Sequence, residues 1–95
     1  MLVLNRKARQ KICIGLGLRN PNDNPEIVLT VVDVNSPYVC VEVTRNGKKT
    51  THKMTPLDAE RIGEEIYFQV VSVNYREVKL AFDAPIKYRI LRGEL

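Results

Sequence analysis

The chain has little of the chemistry that marks enzymes, metal proteins and exported scaffolds. Its 95 residues include one histidine and two cysteines. A metal centre at His52 would need Cys13 and Cys40 as further ligands, and no ligand spacing supports that. Both cysteines fall in apolar, strand-like runs, so they read as small buried hydrophobes rather than a disulfide framework. No Ser or Cys is placed near His52 by sequence, and the Asp and Glu residues form no paired acid–base pattern. Gly15-Leu16-Gly17 is too short to cradle a phosphate, and no helix follows it. The expectation is a non-enzyme with no metal and no cofactor. No apolar run approaches the length of a membrane span, and no charged–apolar–small leader opens the chain. A cytoplasmic protein with no membrane partner is therefore expected. Aromatic residues are only 6%. Tyr38, Tyr67, Tyr75 and Tyr88 are scattered, which excludes the stacking ladder of an RNA-recognition sheet.

What is present is strand. A chain of this length makes one domain, residues 1–95, that buries roughly 60–65% of its unfolded surface. The net charge of +4 permits nucleic-acid binding without requiring it. Apolar and polar residues alternate over Met1–Lys7, Lys11–Ile14, Ile27–Asn35 and Tyr38–Thr44, and in two runs between Tyr67 and Phe82. Leu2, Leu4 and Arg6 share one face of the first run, and Val3, Asn5 and Lys7 the other. Leu16–Glu26 is rich in Gly, Pro, Asn and Asp and reads as a loop. Asn46-Gly47 is a hairpin turn, and Lys49–Lys53 follows as a polar edge strand. Thr55 to Gly63 predicts one short helix, with Thr55 as N-cap, Pro56 at the first position and Gly63 as the stop. Asp83-Ala84-Pro85 ends a strand, and Lys87–Leu91 forms the last run.

The chain also repeats itself. Val31 to Val43 lies without a gap on Val70 to Phe82. Continued in that register, Lys48 falls on Lys87, His52 on Leu91 and Lys53 on Arg92. This reading divides the domain into N-terminal strands (1–15), a first unit with its helix (27–63) and a second unit (66–95).

The opening MLVLNRK with KICIG, and the closing VVSVNYREVKLAFDAPIKYRILRGEL, resemble the carbon storage regulators, the CsrA/RsmA family. Ala84-Pro85 sits where that family has Ala-Pro after its fourth strand. Arg92-Gly93-Glu94-Leu95 sits where it has Arg-Glu-Glu-Ile. The resemblance implies a mainly β fold, a small antiparallel sheet in an intertwined homodimer. It also implies binding to GGA in hairpin loops of mRNA or small RNA, with control of translation. Carried over by position, the RNA-contacting residues are Leu4, Asn5, Arg6, Lys7, Lys79, Ile90, Leu91 and Arg92. A possible second site is His52 with Lys53, where Lys replaces the family's Arg and loses its planar fork. The chain departs from the pattern in its extra strand-hairpin-strand unit and in Gly93, which replaces a Glu. An unpaired first strand would be a sticky edge, which argues for the homodimer. The alternative function is a module of the same fold that has turned to a protein partner, such as an antagonist.

Overall fold

The computed structural model describes residues 1–93. Alternating Val, Ile and Leu give most segments one apolar face, and the described residues form nine strands. They are β1 (Leu2–Lys7), β2 (Lys11–Leu16), β3 (Ile27–Asn35), β4 (Tyr38–Arg45), β5 (Lys48–Met54), β6 (Ala59–Gly63), β7 (Ile66–Asn74), β8 (Glu77–Asp83) and β9 (Tyr88–Arg92). One antiparallel sheet has the order β1-β8-β7-β6, and the other β5-β4-β3-β2-β9. Their inward faces share a single core. Phe68, Val70, Leu80 and Phe82 enter it from the first sheet, and Ile12, Ile14, Leu29 and Val41 from the second. The molecule is a two-layer β-sandwich. Cys13 is buried and Cys40 half-buried, and both are free thiols. Burial pushes the Cys13 thiol up, while the Lys11 charge pulls it the other way.

The repeat is real, and the pairing extends it backwards along the chain. β3 and β4 recur as β7 and β8, and the bulge between Val31 and Asp33 returns between Val70 and Ser72. β1 lies on β8 with Arg6 opposite Val78, and β5 lies on β4 with Met54 opposite Val39. β2 lies on β3 as β6 lies on β7. The turns agree as well. Arg9 N–H donates to the Val31 carbonyl and Val31 N–H to Gln10; Leu57 N–H donates to Val70 and Val70 N–H to Asp58. Arg9 and Leu57 share a left-handed backbone, with φ of 74° and 77°. Strands β5-β6-β7-β8 therefore repeat β1-β2-β3-β4, and β9 is extra, paired with β2.

Two expectations are corrected by this pairing. Lys48–Lys53 is the counterpart of the first strand, not of Lys87–Arg92, so the boundary between units falls in the Asn46-Gly47 turn. The helix over residues 55–63 does not form, and no helix occurs among the described residues. Asp58 Oδ2 accepts from Thr55 N–H at 2.9 Å and from Thr55 Oγ1 at 3.2 Å, while Asp58 N–H donates to the Thr55 carbonyl at 3.1 Å. These residue types can cap a helix, but here they close a turn. The left-handed Leu57 then breaks any helical path, and Ala59–Gly63 pairs with β7 instead. A helix this short has no stability of its own to resist that pairing.

The polar strand does lie at a sheet edge, as β5, and Asn46-Gly47 turns with φ of 52° and 74°. β1 is the outer strand of its sheet. It is paired along its whole length with β8 of the same chain.

Candidate nucleic-acid interface

β1 ends one sheet and β9 ends the other, and the two edges approach each other at two points on one flank of the sandwich. Near the start of β1, Met1 and Leu2 share a groove with Ala84, Ile86, Arg89 and Ile90. At the other end, Arg6 Nη1 donates to the Lys11 carbonyl at 3.4 Å, and Gly93 N–H donates to that same oxygen at 2.9 Å. One carbonyl thus ties the end of β1 to the end of β9. Residues at opposite ends of the sequence are joined through β2, which pairs with β9 and directly follows β1.

The side chains on this flank divide by face. Leu4 and Arg6 point inward and are buried, while Asn5 and Lys7 are exposed. Arg6 is only 4% exposed. Its Nε donates to the Asn5 carbonyl at 2.7 Å. A guanidinium committed to backbone carbonyls holds the strand end in place and is not offered to solvent. Lys79 stands opposite Asn5 on the outer face of the sheet. Ile90 and Arg92 stand opposite Ile14 and Ile12, hence on the inward side. Ile90 packs against the core, Leu91 is half-buried, and Arg92 at the strand end is exposed. Cations therefore approach β1 from both sides. Among the described residues, none of Lys7, Lys79, Arg89 or Arg92 has a carboxylate within ion-pair distance. Of the eight residues expected on β1, β8 and β9, Leu4 and Arg6 are buried, Asn5, Lys7 and Lys79 are exposed on one sheet, and Ile90, Leu91 and Arg92 lie on the edge strand of the other. Glu94 and Leu95 of the closing motif lie outside the described residues.

His52 and Lys53 belong to the opposite flank. β5 and β9 are the two far edges of one sheet. In the repeated pattern His52 takes the place of Leu4, and Lys53 that of Asn5. His52 Nε2 lies 3.0 Å from Thr50 Oγ1, and its Nδ1 lies 3.7 Å from Glu60 Oε1. The Lys53 ammonium sits 4.4 Å from the Tyr38 ring centroid. Neither residue stands where Arg92 stands.

Sequence reasoning missed the groove. Ile86 is fully exposed and Leu2 is 40% exposed. The available signal was an isoleucine directly after the strand-ending Pro85, an apolar residue in a turn with no strand to bury it.

Comparison of the chain with family models, with curated proteins and with solved structures gives no match.

Proposed function

We propose that this chain is an RNA-binding regulator of translation that recognises GGA in hairpin loops of mRNA or small RNA, with the β1–β9 flank as its site. The juxtaposition of Leu4–Lys7 with Ile90–Arg92 carries the reading. As an edge strand, β1 has outward N–H and C=O groups free of sheet pairing, and such groups can hydrogen-bond the exposed edges of loop bases. Lys7, Lys79 and Arg92 attract phosphate, and the groove beside Leu2 and Ile86 offers apolar contact to base faces. Arg6 is the positioning residue. It keeps β1 against β9.

Each chain carries one site. Among the described residues, the opposite flank has no strand in the place of β9 and no cation in the place of Arg92. One chain carries both β1 and β9, so the proposed site needs no second copy.

An anisotropy titration of a GGA-loop hairpin beside its CCA variant tests this reading. We expect affinity to fall at least about tenfold in the CCA control. Arg92→Ala should weaken GGA binding, leave the melting temperature in place and flatten the log K–log salt slope by about 0.7–0.9. Lys53→Ala should change neither. Weak binding that ignores the base change and vanishes with salt would overturn the proposal.

A further inference from the structure

The repeat leaves one strand position empty. β2 is covered on both sides, by β3 and by β9. Its counterpart β6 is covered by β7 alone, so its outer edge has no strand among the described residues. Beside that edge runs a groove lined by Val43, Arg45, Lys48 and Thr50 on one wall and by Arg61 and Ile62 on the other. Val43 and Ile62 are buried and give it an apolar floor. Its charge has one sign. Arg45, Lys48 and Arg61 have no carboxylate within ion-pair distance among the described residues, and the nearby Glu60 faces His52. Arg61 Nε donates to the Gly63 carbonyl at 3.1 Å, which holds its guanidinium along the β6 edge.

We propose that this groove takes an extended acidic segment of a partner protein, added as a strand to the outer edge of β6. On the first flank, β9 shows how such a strand is held. Five residues pair antiparallel with β2, and alternate side chains, Tyr88 and Ile90, pack on the core. A guest beside β6 supplies apolar residues at alternate positions for Val43 and Ile62, with carboxylates on its other face for Arg61, while Arg45 and Lys48, on the same face as Val43, add positive charge beside the groove. The bulge between Arg61 and Gly63 limits the paired stretch to the Ala59 end of the strand. A second copy of this chain is a poor guest, because each copy carries +4 and edge-to-edge pairing brings Arg61 near its own equivalent. Nucleic acid is disfavoured because no Phe or Tyr lines the groove to stack a base.

The test uses the full chain and a labelled probe, acetyl-Asp-Val-Glu-Ile-Glu-Val-Asp-amide. Saturable binding is expected, with amide shifts centred on Ala59–Arg61. Replacing the probe's acids by lysine, or making Arg61→Glu, should each weaken binding at least about tenfold. N-methylation of one alternate set of probe residues should abolish binding, and methylation of the other set should be tolerated, because an added strand directs only every second N–H to its host. Several results would overturn the proposal. They are no saturable binding, equal sensitivity to both methylated sets, displacement of the probe by oligouridylate at the same amides, and β6 amides buried in a self-associated form of the free protein.

Discussion

Gly93 stands where the resembled family carries Glu, and the fold gives the reason. Its N–H donates to the Lys11 carbonyl. A Cβ there would lie 2.6 Å from Lys11 Cβ and 3.2 Å from its backbone. Gly93→Ala should therefore push β9 off β2 at the point where Arg92 is presented. The expected loss is about 1–3 kcal/mol of stability, read by denaturant melts, together with weaker RNA binding. Leu57 is the second telling residue. It holds a φ of 77° while 74% exposed, so little burial is lost when it is truncated. Leu57→Gly should raise stability by roughly 0.5–1 kcal/mol, because removing the left-handed penalty outweighs glycine's added chain entropy. Had residues 55–63 been helical, the same change would have cost about 1 kcal/mol. A thermal or urea melt separates the two by sign. Arg6 shows what residue type alone conceals. A cation in an alternating run can end in solvent or, as here, fold back onto carbonyls, those of Asn5 and Lys11.

Among the elements, those with apolar alternation were legible. Ile27–Asn35 and Tyr38–Arg45 announce a hairpin, and their copy in Ile66–Asp83 announces the same hairpin, while the shared bulge shows only in the pairing. β5 was legible as a polar edge strand but not as a copy of β1. Its Thr50 and His52 stand where β1 has Leu2 and Leu4, so no apolar pattern links the two. Only their partners, β4 and β8, reveal the equivalence. β6 was misread because Thr55 and Asp58 satisfy a helix start and a tight turn equally well. The contact that decides, Leu57 and Asp58 with Val70, is made with another strand. The candidate site follows the same rule: its residues were legible one by one, while their convergence depends on β9 pairing with β2. The empty edge of β6 has its own consequence. β2 lies between two strands and β6 beside one, so β6 amides should exchange with solvent about tenfold or more faster than those of Ile12 and Ile14. Native-state hydrogen exchange, resolved by residue, checks this. Equal protection in β2 and β6 would mean that the outer edge of β6 is already covered.

At the scale of the molecule, one chain builds two sheets from a repeated four-strand unit and adds a ninth strand on one side only. That asymmetry converts a symmetric pairing pattern into a structure with two different flanks. One flank joins β1 to β9 and gathers Lys7, Lys79 and Arg92. The other joins β5 to the bare edge of β6. The central claim is a single GGA-specific site made by one chain. Isothermal titration of the full chain with a GGA-loop hairpin, with sedimentation of the free and loaded protein, tests it most directly. The account predicts one hairpin per chain, a monomer in both states, and at least about tenfold weaker binding of the CCA variant. Two hairpins per chain, one hairpin shared by two chains, or equal heats for GGA and CCA would contradict it.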